Sequence, residues 1–266
     1  MSRQRDRDGR RQRPHDSRAT TSERHGVVSG RRAVAEAVRS GRVSEVLIVS
    51  SPKVTQGLRS VLDAADAEGI PVRVVPRSTL DALAQEHQGV VARIGSGVAD
   101  GLTERALATF PFADDALVVV LDGITDPQNL GAAARSAEAA GAAMLVTRTR
   151  RAAEVTPAAV RASAGALLHL PHARVANVPR AIERLQDAGF WVVGLDERGE
   201  ASVYDESCPP GRVAIVIGSE GVGMSRLSRE RCDRLLSLPM RGRVASLNAA
   251  ASLAAVLYAY VVPARR

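Results

Sequence analysis

Apolar and polar positions fall into a regular rhythm only from Val27 onward. Residues 31–40 carry an amphipathic pattern closed by Gly41, which predicts a helix. Val46, Leu47, Ile48 and Val49 form a short apolar run that reads as a buried strand. Residues 56–68 place Leu58, Val61, Leu62 and Ala65 at helical spacing before Gly69. A strand at 72–75, a helix at 78–86 with Ser78 as N-cap, and a strand at 90–94 follow. This alternation predicts a small α/β sandwich over 26–96.

Glycines, Pro111 and two consecutive aspartates punctuate the next stretch, so 97–115 reads as a linker with one short helix at 103–109. A second α/β unit is expected over 116–266. Its strands are predicted at 116–121, 143–147, 191–195, 213–217 and 235–238. Its helices are predicted at 129–140, 157–163, 179–188 and 246–260. The strands are nearly continuous apolar runs, as in a parallel sheet covered on both faces. Pattern alone therefore predicts a doubly wound sheet with its ligand at the carboxyl ends of the strands.

Charge changes this picture modestly. The net charge is +7, but residues 1–25 hold eight Arg against three Asp and one Glu, leaving +3 for the remainder. That tail has almost no apolar periodicity and is expected to be disordered. All but one of the 36 basic residues are Arg, Lys53 being the exception. A polyanionic partner such as RNA fits, and so does a soluble body with a basic tail. Only Cys208 and Cys232 occur, without metal-ligand spacing, so a disulfide scaffold or metal site is not expected and a reducing cytoplasm fits. No apolar run reaches the ~18–20 residues of a membrane span, and the Arg-rich start lacks the apolar core of a secretory signal.

Candidate chemistry is concentrated in four segments. The first is Asp122-Gly123-Ile124-Thr125-Asp126-Pro127-Gln128-Asn129-Leu130-Gly131-Ala132-Ala133-Ala134-Arg135. Ile217-Gly218-Ser219-Glu220-Gly221-Val222-Gly223-Met224, Leu238-Pro239-Met240 and Ser246-Leu247-Asn248 follow. The second segment has a G-x-x-G-x-G order after a strong strand, unlike the G-x-G-x-x-G of a dinucleotide fold. Its glycines permit a sharp turn and close backbone approach, and Glu220 puts a carboxylate at a strand's carboxyl end. Taken alone, Arg135 reads as a solvated helix residue, while Asn129 and Ser246 read equally well as helix caps. His169 and His172 have no metal-ligand partner and read as surface or core residues.

In order and spacing the four segments resemble the SpoU (TrmH-like) branch of the SPOUT RNA methyltransferases. The stretch His87-Gln88-Gly89-Val90-Val91-Ala92 is similar to the end of the L30e-like RNA-binding domain that precedes the catalytic domain in this family's ribosomal RNA guanosine enzymes. The resemblance implies a C-terminal deep trefoil knot, which patterning does not predict, and a homodimer. It implies S-adenosylmethionine as methyl donor and a ribose 2′-hydroxyl in RNA as acceptor, most closely a guanosine of 23S ribosomal RNA. Carried over by position, Arg135, Glu220, Asn129, Ser246 and Asn248 are the catalytic set. Gly218, Leu238, Leu247 and Met240 line the donor pocket. A departure follows Asn248, where Ala249-Ala250-Ala251 replaces branched and hydroxyl residues and points to altered helix packing. The alternatives are a transfer RNA or antibiotic-resistance methyltransferase of the same family, or a noncatalytic RNA-binding module. A nicotinamide oxidoreductase is disfavoured by the glycine order.

Overall fold

The computed structural model describes residues 27–41, 43–50, 55–84, 86–94, 102–244 and 246–265; the tail expected over 1–25 and the glycine-rich 95–101 lie outside them. The first layer system comprises β1 (Val27–Ser29), α1 (Arg31–Arg39), β2 (Val43–Val49), α2 (Gln56–Ala67), β3 (Val72–Val75), α3 (Arg77–Leu83) and β4 (Val90–Ile94). The sheet order is β1-β4-β2-β3, with β4 antiparallel to both neighbours and β2 parallel to β3. Alternate side chains divide the core, as strand geometry requires. Val28, Val46, Ile48, Val90 and Ala92 join the cluster containing Val34 and Leu58, whereas Val27, Leu47, Val75 and Val91 pack with Leu80.

One element was not foreseen and one local expectation is corrected. β1 was not legible in the sequence pattern, because three residues are too few to display a period. α3 starts at Arg77 after Pro76 rather than at a Ser78 cap. The fixed φ of proline sets the cap at Pro76, two residues earlier, so Ser78 falls inside the first turn.

The larger sheet is built from β5 (Leu102–Thr103), β6 (Leu117–Asp122), β7 (Met144–Arg148), β8 (His172–Val175), β9 (Trp191–Leu195), β10 (Ala201–Ser202), β11 (Val213–Gly218) and β12 (Arg234–Ser237). Its order is β10-β12-β9-β11-β6-β7-β8-β5, and every strand pairing is parallel. Helices α4 (Ala106–Thr109), α5 (Pro127–Ala139), α6 (Pro157–Ala162), α7 (Val178–Asp187), α8 (Arg226–Arg231) and α9 (Ala249–Val256) complete the unit. β6 and β11 are buried along their whole length, which explains their unbroken apolar sequence.

The expected linker is partly core. β5 pairs with β8, and Leu107 and Phe112 are buried beside Val118 and Phe190. The terminal helix also starts later than expected, at Ala249, and continues as a π-helical turn over Leu257–Val261. The two layer systems touch through Arg161, whose Nη1 donates to Ser29 Oγ at 3.1 Å, and through His169 and Glu36, 3.0 Å apart. Among the described residues, no helix is long and apolar enough to cross a membrane.

Candidate active site

Strand order reverses between β6 and β11, with all strands parallel: β7 and β8 follow β6 on one side, whereas β11, β9 and β12 lie on the other. Such switch points open a crevice at the carboxyl ends of the strands. A cavity of about 250 Å3 lies there, near the small end of small-molecule sites. Leu195, Ile217, Leu238 and Leu247 give it apolar walls; the 218–223 turn, Met240 and Ser246 complete much of the rest.

The 218–223 turn folds back on its own strand. Ser219 and Gly223 exchange backbone hydrogen bonds of 3.2 and 2.9 Å. A Cβ on Gly218 would overlap the backbone of Gly223 and Met224, so that position requires glycine for the turn itself as well as for the cavity wall. Asp122, at the end of β6, anchors the far side of the turn. Its Oδ2 accepts from the Ser225 N–H at 2.9 Å and from Ser228 Oγ at 2.7 Å.

At the cavity mouth three segments meet in one hydrogen-bonded chain. Asn248 Nδ2 donates to Asn129 Oδ1 at 3.1 Å, and Asn129 Nδ2 donates to Glu220 Oε1 at 3.0 Å. Each asparagine amide is thereby oriented, leaving the second oxygen of Glu220 outside this chain of bonds. Asn129 is not the helix cap that sequence reading left open: Asp126 caps α5 by accepting from the Gln128 N–H, with Pro127 at the first helical position. Nor does Ser246 cap the last helix. Asn248 does so, its Oδ1 accepting from the Ala251 N–H at 2.7 Å.

The structure thus brings together Asn129, Glu220 and Asn248, and lines the adjoining cavity with Gly218, Leu238, Met240, Ser246 and Leu247. Arg135 stands apart. It is exposed on α5, six residues beyond Asn129, outside the cavity lining and without a hydrogen bond or ion pair among the described residues. An exposed guanidinium with no such partner is available to an external anion.

Sequence reading passed over Asp196, Arg198 and Arg229, which also line the cavity. Asp196 follows β9 directly, the same strand-end placement that singled out Glu220, so a signal for it was present. Cys232 lies behind the site in α8's C-cap; burial, then Asp233, Asp122 and Asp196, push its thiol up to about 12. It is an inert packing group rather than a nucleophile. Among the described residues, no cluster of three or more His, Cys, Asp or Glu is arranged to hold a metal.

Comparison with known proteins now adds to this geometry. Residues 116–258 match the model of the SpoU rRNA methylase family, and residues 27–96 match that of the RNA 2′-O ribose methyltransferase substrate-binding domain. A Bacillus subtilis protein named for the TrmH family of tRNA/rRNA methyltransferases, YacO, is 39% identical over 92% of this chain and 98% of its own. A Mycolicibacterium vanbaalenii protein named as a tRNA/rRNA methyltransferase is 41% identical over 87% of this chain and 74% of its own. The crystal structure of the SpoU methyltransferase AviRb from Streptomyces viridochromogenes, solved with S-adenosylmethionine, superposes with a TM-score of 0.73 at 32% identity, covering 90% of each chain.

Proposed function

Because the chain belongs to the SpoU rRNA methylase family, we propose that it methylates a ribose 2′-hydroxyl of structured RNA, with a guanosine of 23S ribosomal RNA as target. RNA methyltransferase activity and S-adenosylmethionine as donor come with the family. The assignment of the reaction to this site rests on one observation above all: the Asn248–Asn129–Glu220 chain at the mouth of a cavity on the sheet's switch point.

The residues present fit the donor. Leu195, Ile217, Leu238 and Leu247 offer apolar walls for a purine. Asp196, Glu197 and Glu220 place carboxylates around a cavity whose ligand carries a sulfonium cation. When bound, S-adenosylmethionine supplies an electrophilic methyl group. Everything else falls to the protein. Ser246 and Asn248 shape the donor side, and Asn129 and Asn248 hold Glu220 in one orientation, so that little reorganisation accompanies reaction. Glu220 accepts the hydroxyl proton through its free oxygen. Arg135 clamps the target phosphate and stabilises charge developing on the attacking oxygen; guanidinium does not readily surrender a proton and is not assigned as base.

RNA contact extends to the small N-terminal sandwich. A cleft of about 810 Å3 between it and α6 is lined by Arg31, Arg32, Arg39 and Arg161. The domain division 26–96, 97–115 and 116–266, the trefoil path, the homodimer and a cytoplasmic location belong to the same proposal. The names of the relatives span tRNA and rRNA, which keeps transfer RNA as the second target to test.

Incubation of the protein with radiolabelled S-adenosylmethionine and unmodified 23S ribosomal RNA or transfer RNA tests the reading. One alkali-resistant linkage in the ribosomal RNA is expected, at least 100-fold slower to form with Arg135→Ala. Transfer to transfer RNA alone would overturn the target. Donor binding without transfer to either would leave an RNA-binding module.

A further inference from the structure

Asp196 is a nearly buried carboxylate, 9% exposed, that lines the donor cavity and has been given above only a share in its overall charge. Three neighbouring parallel strands end side by side at this point. Leu195 is in register with Ile217, and Gly218 with Asp122, so Asp196 follows β9 beside the glycine that ends β11. The two flanking carboxylates have different fates. Asp122 is engaged by Ser225 and Ser228 and is absent from the cavity lining. Asp196 accepts from the Arg198 N–H at 3.0 Å through Oδ1, and from Arg229 Nη1 at a long 3.4 Å through Oδ2. A carboxylate has about four acceptor positions, so roughly two remain. At Gly223 the neighbouring turn presents no side chain to Oδ2: a Cβ there would stand 4.0 Å from it, and glycine leaves that space open.

A diol supplies two O–H donors, and an ionised carboxylate only accepts; the two match in number and polarity. In open parallel sheets that bind nucleosides, an acid at the end of the strand beside the glycine-rich turn takes this part against ribose. We propose that Asp196 accepts hydrogen bonds from the ribose hydroxyls of the methyl donor's adenosine, and that Arg229 and the Arg198 N–H hold its carboxylate for that purpose. The proposal rests on the assignment of this cavity to the donor.

Calorimetric titration with S-adenosylhomocysteine and its 2′,3′-dideoxy analogue tests it without turnover. The unaltered protein is expected to bind the analogue about tenfold to a hundredfold more weakly, as for hydrogen bonds to a charged group. Asp196→Ala is expected to bind the natural ligand more weakly by a similar factor and to discriminate between the two by less than about threefold. Asp196→Asn keeps the contact to the Arg198 N–H and guards against loss of fold. It is expected to lie between the two, and Arg229→Gln is expected to retain most of the discrimination. Equal affinity of the unaltered protein for both ligands would overturn the proposal. So would discrimination that disappears in Arg229→Gln but survives in Asp196→Ala. Failure of the unaltered protein to bind S-adenosylhomocysteine at all would instead remove the donor-cavity assignment.

Discussion

Asn248 performs two tasks with one amide: its Oδ1 caps α9, and its Nδ2 orients Asn129. Substitution separates them. Asn248→Asp keeps a good cap but has no donor for Asn129, so stability stays within about 0.5 kcal/mol while methyl transfer slows at least tenfold. Asn248→Ala loses both, and adds about 1 kcal/mol of destabilisation. Thermal unfolding read alongside single-turnover rates checks this; equal rates for Asn248→Asp and the unaltered protein would show that the amide chain does not serve catalysis. Individual residue types at the site were legible as motifs. Which of two competing jobs each performs was not: Asn129 and Ser246 both qualified as caps by type, and only the positions of Asp126 and Asn248 decided the matter. Gly218 carried a similar ambiguity, since a glycine demanded by backbone crowding and one demanded by a ligand look identical in sequence.

At the scale of elements, the carboxyl end of β7 continues into a basic loop. Arg148 faces Asp122 at 4.0 Å, whereas Arg150 and Arg151 are exposed with no ion pair among the described residues. Arg151 adopts φ 53°, an uncommon conformation for a non-glycine residue. The Ala153 N–H donates to Ile124 O and fastens this loop beside the approach to α5. Phosphate contacts here predict that Arg150→Ala/Arg151→Ala lowers the slope of log K for RNA against log salt by about 1.5 to 2 and leaves donor affinity unchanged. An unaltered slope, measured by filter binding across a salt series, would place the RNA elsewhere. Long buried elements such as β6, β9 and β11 were readable because their apolar runs are continuous. β5 and β10, two residues each, and β8, whose His172 and Arg174 interrupt the run, carry no period and were missed. For the same reason a partly packed segment read as a linker.

The whole molecule carries a pH liability in its sheet. His172 is buried between β7 and β8, with Nε2 2.7 Å from Thr147 Oγ1; burial, and then the charge of Arg174, lower its pKa to about 4. The neutral ring is the one the fold accommodates. Stability from this group is therefore complete above the unfolded value near 6.5 and declines as pH falls toward 4, by up to about 3 kcal/mol. Urea unfolding between pH 7.5 and 4.5 is expected to show this decline, and His172→Gln to flatten it. An identical pH dependence in both proteins would assign the effect to other groups.

The Asn248–Asn129–Glu220 chain joins residues 119 and 91 positions apart, and its last member arrives with the segment that closes the cavity. Domains fold in the order in which the ribosome delivers them. A nascent chain halted before residue 238 already contains β6, α5 and β11, but lacks the cavity wall at Leu238, Met240 and Leu247 and the amide that steers Asn129. Competence thus waits on the segment 238–248: a polypeptide that has reached β11 holds the residues on either side of the switch point but not the groups that close the cavity and orient Asn129.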